Sequence, residues 1–262
     1  MTFHTVDVTA IVSALQNIVG PFIDDLQATL GPDLVGVYLY GSAITGGFDP
    51  VLSDLDLLVV IESDARRLDL SPIEALHDRL AARHPDWADR LDIAYVGRAT
   101  LATFRAGGTV ASISHEDALQ LYDDADGWLQ TWYLVQFADT ALLGPPVAEV
   151  IPPIERAEFV DAVARDADRI VRRVETDQRS GLVAYTLLTL CRVLRTIDDG
   201  AITSKPEAAS WVAGRMPEAR WVLDEALVVR ASGGRLPFSA GARVAVLALV
   251  SQLGTQIRLA TI

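Results

Sequence analysis

Two apolar, β-rich runs, residues 34–40 and 55–61, constrain this chain most, because neither shows the polar alternation of a half-exposed strand. Both predict strands that are buried on two faces. A third run, residues 91–96, follows a helix whose N-cap we assign to Ser71, and residues 5–30 show helical periodicity. The first hundred residues therefore predict a small α/β domain built around one mixed sheet.

The pattern of the sequence changes at residues 144–154, a segment of eleven residues that contains four prolines and a glycine and that we take as a domain boundary. Before this segment we expect further strands in 109–122 and a helix over 126–142. Beyond it only helices are predicted: 155–177, 181–198, 205–216, 217–230 and 239–260. We therefore expect an α/β (α+β) domain over 1–150 and an all-α helical bundle over 151–262.

The amino-acid composition limits which kinds of partner the chain can bind. The chain carries 35 acidic against 22 basic residues, a formal charge of −13, which disfavours binding to a phosphate backbone. Cys191 is the only cysteine, so neither an internal disulfide nor a cysteine-based zinc site is expected. The N-terminus lacks a signal-peptide pattern, and the longest apolar run, 240–253, is too short for a bilayer. We expect a cytoplasmic protein with no nucleic-acid or membrane partner.

Two aspartates stand at the start of the second apolar run, one directly before it and one inside it, where packing does not favour them. Asp54 and Asp56 are two residues apart, so on a strand both carboxylates project from one face, about 7 Å apart along the chain. A divalent cation between them would remove their repulsion, and Mg²⁺ accepts one or two carboxylates together with phosphate oxygens. Asp92, in the third run, is a candidate third acid. This layout is that of metal-assisted phosphoryl or nucleotidyl transfer.

A Gly-Ser turn supplies the complementary part of such a site. Gly41 and Ser42 follow the first strand directly. A glycine allows a phosphate to approach the backbone closely, and the serine hydroxyl and backbone N–H groups can donate to its oxygens. The pattern favours a triphosphate ligand beside the aspartates.

These motifs resemble the signature of the polymerase-β-like nucleotidyltransferase superfamily. The shared features are Gly-Ser after a strand, eleven intervening residues, Asp-apolar-Asp in an apolar strand, and the third acid, Asp92. A narrower resemblance covers most of the chain: "LYGSA", "SDLDLLV", "ALLGPP" and the stretch 187–217 are similar to the aminoglycoside 3''-adenylyltransferases. Those enzymes join a nucleotidyltransferase domain to a helical domain and modify streptomycin and spectinomycin.

The resemblance implies a role for each matching residue. Asp54 and Asp56 would hold Mg²⁺, and Asp92 would be the general base, a third metal ligand, or both, although the relatives usually carry Glu there. ATP would be bound by residues of both halves: Gly41, Ser42, Ser53, Arg192 and Lys205. Lys205 is the only lysine in the chain. Where the relatives place acids before "LLTLCR", this chain has Leu182 and then Tyr185.

We therefore predict an enzyme that transfers AMP from Mg·ATP to a hydroxyl of a small cationic acceptor, such as streptomycin or spectinomycin, and releases pyrophosphate. Asp126 and Trp128, in the acidic stretch 115–128, and Tyr185 are candidates for holding the acceptor, although a solvated loop and packed aromatic side chains explain them equally well. A different acceptor (a nucleoside, another sugar or a protein) stays open. So does a non-catalytic nucleotide-binding or antitoxin module.

Overall fold

The structure, a computed structural model, describes residues 8–114 and 117–260. The chain divides into two compact units, Met1–Ile154 and Glu155–Ile262. The elements of the first unit are, in order, α1 (Val8–Leu30), β1 (Leu34–Leu39), α2 (Ser42–Thr45), β2 (Leu55–Ile61), α3 (Leu70–Arg83), β3 (Leu91–Gly97), α4 (Arg98–Ala102), β4 (Val110–Ile113), β5 (Gln120–Tyr122), α5 (Leu129–Ala138) and β6 (Ala141–Leu143).

Six strands form one mixed sheet in the order β5-β4-β3-β2-β1-β6. Only the central pair, β2 and β3, is parallel among the strand pairs of the described residues. A parallel pair requires a crossover, and α3 provides it. The sheet and its helices confirm the predicted α/β class of this half.

The apolar strand runs are buried on both faces, as their composition requires. On one face α1 and α3 pack against the sheet through side chains such as Phe22, Leu26 and Leu76, all fully buried. On alternate strand positions Leu58 and Val60 are fully buried as well. Burying a side chain of this size contributes about 1.5–3 kcal/mol, so the interior strands are the most firmly held part of the unit.

Two element assignments from the sequence are wrong in detail. The helix expected over 126–142 stops at Ala138, because Asp139 adopts a left-handed backbone with φ 44°. The following residues Ala141–Leu143 form β6, which pairs with β1. The N-cap of α3 is Asp69, whose carboxylate accepts the Ser71 N–H, so the helix begins before the predicted cap. Residues 5–7 of the predicted first helix lie outside the described residues.

The second unit is a bundle of helices, which confirms the all-α prediction for this half. Its helices are α6 (Arg156–Thr176), α7 (Ser180–Asp199), α8 (Lys205–Arg215), α9 (Arg220–Ala231) and α10 (Ala242–Ala260). The central α7 packs against the other four. Within the described residues it is the one helix long and apolar enough to cross a membrane, yet 56% of its most apolar window is buried in the bundle. That burial is what a core helix requires.

Candidate active site

Three carboxylates meet at the edge of the sheet where β2 and β3 begin. Asp54 directly precedes β2, and Asp56 lies inside it. Asp92 is the register partner of Asp56 on the parallel strand β3, and register partners project from the same face of a sheet. All three side chains are partly buried. The structure thus brings together the three acids that the sequence singled out.

The proximity of these acids changes their proton affinity. Burial, together with the charge of Asp54, raises the pKa of Asp92 from 3.8 to about 6. A side-chain hydrogen bond from Tyr40 opposes this rise, because it favours the ionised carboxylate. A carboxylate with a pKa close to neutrality is suited to accept a proton from a substrate hydroxyl.

Tyr40 belongs to this site, although it was not singled out in the sequence. It follows β1, is buried, and its N–H donates to the Asp56 carbonyl oxygen at 3.2 Å. Burial, followed by the charges of Asp92 and Asp56, raises the pKa of its phenol far above the ordinary value. Tyr40 therefore stays a neutral donor to Asp92. The signal in the sequence was a tyrosine in an apolar run, because a buried phenol needs a hydrogen-bond partner.

The Gly-Ser turn lies against Asp56. Gly41 has φ +69°, and a Cβ at this position would overlap the Asp56 carboxyl group. The Ser42 N–H donates to Asp56 Oδ2 at 3.2 Å. The Ser42 hydroxyl, by contrast, is buried without a hydrogen-bond partner among the described residues. A buried hydroxyl without a partner is unfavourable, so it points to a ligand that supplies one.

The loop before Asp54 is tied to itself and to β3. Ser53 is buried, and its Oγ accepts the Asp49 N–H at 2.9 Å, which leaves its O–H available as a donor. The Ser53 carbonyl oxygen accepts the Nε–H of Arg90 at 2.9 Å. Neither Asp49 nor Arg90 was recognised in the sequence, because their contacts depend on how the loop folds back onto β3.

The donor set fits a hard divalent cation. Within the described residues no group of three or more His, Cys, Asp or Glu side chains is arranged so that it could hold a metal ion, so the structure does not show Asp54, Asp56 and Asp92 as one ligand set. Mg²⁺ does not require one, since it keeps several waters and takes one or two carboxylates plus phosphate oxygens. Asp54 and Asp56 offer the two carboxylates, and the Ser42 hydroxyl, which has no partner among the described residues, can donate to a phosphate oxygen beside the turn at Gly41.

Two candidates for acceptor binding lie elsewhere in the first unit. Asp126 and Trp128 follow β5. In the sheet, Tyr122 of β5 pairs with Val110 of β4, which in turn pairs with Val96 of β3. Val96 lies near the end of β3 that is farthest from Asp92. Asp92 and Val96 are four residues apart, about 13 Å along the strand. Asp126 is exposed, whereas Trp128 stacks on Trp132 and contacts Tyr122. The structure therefore does not bring Asp126 and Trp128 to the acidic edge. His115 and Glu116 of the same stretch lie outside the described residues.

The remaining candidates form a group in the helical unit. Tyr185 on α7 is 48% exposed, and the Lys205 ammonium lies 4.2 Å from its ring centroid. Arg192 lies on the same face of α7, two helical turns after Tyr185. Between them, the Thr189 hydroxyl is buried without a hydrogen-bond partner among the described residues. Tyr185, Thr189 and Arg192 thus lie along one face of α7, with the Lys205 ammonium against the Tyr185 ring.

Comparisons with known proteins agree with both units. Residues 22–103 match the nucleotidyltransferase domain family, and residues 149–252 match the C-terminal domain family of aminoglycoside adenylyltransferases. Spectinomycin 9-adenylyltransferase from Staphylococcus aureus is 22% identical over 209 residues, covering 72% of this chain and 74% of the relative. The Campylobacter jejuni enzyme of the same name is 26% identical over 210 residues, covering 76% and 79%.

A solved structure has a similar fold. Spectinomycin adenyltransferase AAD(9) from Enterococcus faecialis, determined with ATP and spectinomycin, superposes with a TM-score of 0.67 at 19% identity, covering 91% of this chain and 99% of that chain. The two chains therefore share a fold over most of their length. The two family matches follow one another along the sequence, so the chain contains a nucleotidyltransferase domain followed by a domain of the aminoglycoside adenylyltransferase C-terminal type.

Proposed function

We propose that this protein transfers AMP from Mg·ATP to a hydroxyl of a small cationic acceptor and releases pyrophosphate. The observation that carries the proposal is the sheet edge where Asp54, Asp56 and Asp92 lie beside the Gly41–Ser42 turn, with the Ser42 hydroxyl buried and without a partner in the described part of the chain. Carboxylates for a cation and a donor for a phosphate are the two requirements of nucleotidyl transfer.

Each side chain has a task in the proposed reaction. Asp54 and Asp56 hold the metal, which when bound neutralises charge on the triphosphate. Ser42 and Ser53 donate hydroxyl hydrogen bonds to phosphate oxygens. Asp92, oriented by Tyr40, accepts the proton as the acceptor oxygen forms its bond to the α-phosphorus. The bond between the α-phosphorus and the bridging oxygen breaks at the same centre, and pyrophosphate leaves with that oxygen.

Two cations of the helical unit are candidates for ATP binding. Arg192 and Lys205 are assigned to the ATP phosphates, in an otherwise acidic chain where they are suited to anions. The ring of Tyr185 supports the Lys205 ammonium at 4.2 Å. Tyr185 therefore has two proposed roles. It supports ATP binding indirectly by holding Lys205, and it is a candidate contact for the acceptor.

Spectinomycin is the acceptor we favour over streptomycin. The curated relatives are named for spectinomycin. In addition, the first turns of α7 carry Leu182 and Tyr185, and this helix has no carboxylate before Asp198. Streptomycin, whose guanidinium groups require acidic partners, would find none on this stretch. We place this activity in the cytoplasm, because ATP is available there.

The decisive experiment is a pyrophosphate-release screen with Mg·ATP against spectinomycin, streptomycin and other aminoglycosides, combined with mass spectrometry of the acceptor. We expect release with spectinomycin and a product heavier by one adenylyl group. Release with a nucleoside, another sugar or a protein instead would keep the chemistry and change the acceptor. ATP binding without release for any acceptor would favour the non-catalytic nucleotide-binding module.

A further inference from the structure

Arg90 connects the start of β3 to the loop that leads into β2. Its Nη2 donates to the Pro50 carbonyl oxygen at 3.0 Å and also to the Ser53 carbonyl oxygen, which its Nε–H reaches at 2.9 Å. The Arg90 carbonyl oxygen accepts the Leu55 N–H at 2.8 Å. One residue therefore bonds to the backbone immediately before and immediately after Asp54.

The guanidinium itself is held in place. It lies 4.0 Å from the ring centroid of Trp87, a side chain that is only 8% exposed. Nη1 also donates to the Asp86 carbonyl oxygen at 3.4 Å. A planar guanidinium can stack on an aromatic ring and donate sideways in several directions at once, which an ammonium group cannot do. This geometry therefore requires arginine.

The loop transmits this restraint because it is bonded internally. Asp49 Oδ1 accepts the N–H groups of Val51 at 2.8 Å and Leu52 at 3.2 Å. The Asp49 N–H donates to Ser53 Oγ at 2.9 Å. Residues 49–53 thus form one folded segment, and fixing its carbonyl oxygens fixes the segment as a unit.

We propose that Arg90 is a positioning residue that holds the Asp54 carboxylate in place for the divalent cation. The inference rests on the proposed function, in which Asp54 is a metal ligand. The positive charge of Arg90 would by itself repel a divalent cation at Asp54. Electrostatics alone therefore predicts tighter metal binding when the Arg90 charge is removed. Loss of the backbone bonds predicts the opposite, because an unrestrained ligand binds metal more weakly. The sign of the change separates the two explanations.

The test is a titration of the full-length protein with Mn²⁺ alone, in which electron paramagnetic resonance measures the concentration of the free ion. We expect Arg90→Met and Arg90→Lys each to raise the Mn²⁺ dissociation constant about 10-fold, a typical effect of losing a residue that orients a metal ligand. Arg98→Met is the matched control, because Arg98 follows the other end of β3 and pairs with Glu62 at 3.6 Å. It should leave the dissociation constant unchanged.

Two further measurements keep the outcomes distinct. Asp54→Asn must weaken Mn²⁺ binding; if it does not, the metal site of the proposed function is wrong and the Arg90 inference falls with it. If Asp54→Asn weakens binding while Arg90→Met leaves it unchanged or tightens it, the Arg90 inference alone is overturned. Circular dichroism and thermal melting establish that each variant is folded, and Arg90→Lys, which retains the charge and the aliphatic stem, decides the matter if Arg90→Met does not fold.

Discussion

Asp56 and Asp92 lie directly opposite each other on the parallel strands β2 and β3, with the Tyr40 phenol bonded to Asp92. Like charges in facing positions on a sheet destabilise it. The fold holds the Asp56 and Asp92 carboxylates together against their repulsion, which a bound cation would offset. Both the stability and the activity of the protein should therefore respond to changes at these residues.

Asp92→Asn should stabilise the metal-free protein while abolishing transfer. The folded-state pKa of Asp92 is raised from 3.8 to about 6, so its unfavourable contribution grows as the pH rises through this interval and is complete above it. Without the charge, the free energy of unfolding at about pH 8 should increase by about 3 kcal/mol, with only a small gain at about pH 4. Urea denaturation at both pH values measures this. An equal gain at the two pH values would contradict the assignment to charge.

Asp54→Ala should abolish adenylyl transfer and leave the fold intact, because a metal ligand is lost from a partly buried position without loss of packing. We expect the rate of pyrophosphate release to fall about 1,000-fold, the equivalent of several kcal/mol of charge stabilisation. Asp24→Ala, an exposed aspartate on α1, is the control. Near-normal turnover in Asp54→Ala would refute the metal assignment.

Gly41→Ala should both destabilise the protein and weaken nucleotide binding. The new methyl group would overlap the Asp56 carboxyl group, and φ +69° is strained for alanine, so about 1–3 kcal/mol of stability should be lost. Gly214→Ala in α8 has open space and helical geometry, and should instead stabilise by up to about 1 kcal/mol. Urea midpoints of the two variants, which should move in opposite directions, provide the comparison.

Lys205→Met should raise the KM for ATP with little effect on stability, because the lost group is a phosphate contact in the proposed site. About a tenfold loss in kcat/KM corresponds to one charge-assisted hydrogen bond. Arg215→Met is a suitable control, since Arg215 also stacks on an aromatic ring of α8, Trp211, at 3.6 Å. If both variants, or neither, changed the KM for ATP, Lys205 would have no specific role.

The stability of the first unit should fall in mild acid because of a buried histidine. His77 Nε2 lies 2.7 Å from the Tyr95 hydroxyl, and burial lowers the pKa of His77 from 6.5 to about 4. The unfolded chain therefore binds the proton first, and stability declines as the pH falls below about 6.5, by roughly 3 kcal/mol near pH 4.

A double variant isolates this effect. His77→Leu with Tyr95→Phe removes the histidine without leaving a buried hydroxyl unpaired, so its unfolding free energy should depend less on pH over this range than that of the unchanged protein. Tyr95→Phe alone keeps the histidine and should keep the dependence. Equal pH profiles for all three proteins would show that His77 does not carry the effect.

The sequence allowed the fold class to be predicted, because both-face burial and helical periodicity are properties of short segments. The strand β6 was missed, since three residues carry little periodicity and its formation depends on Asp139 turning the chain back toward β1. The N-cap of α3 was misplaced by two residues, because Asp69 and Ser71 are both good caps and only the geometry distinguishes them.

The site was predictable where the chemistry conflicts with packing. Asp54, Asp56 and Asp92 stand out because acids are unfavourable within apolar strands. Tyr40 and Arg90 did not stand out, since a tyrosine after an apolar strand and an arginine in a loop are ordinary residues. Their contacts with Asp92 and the 49–53 loop exist only in the folded chain.

The short strand β6 has a consequence for how the first unit can be divided. Because it bonds to the outer side of β1, the strand that presents Gly41 and Ser42 is an interior strand with both backbone edges occupied. A fragment ending after α5 would leave the edge of β1 open, and an exposed apolar edge of this kind recruits other chains into intermolecular sheets. Residues beyond α5 therefore protect the nucleotidyltransferase domain from aggregation, so its smallest soluble fragment has to include them.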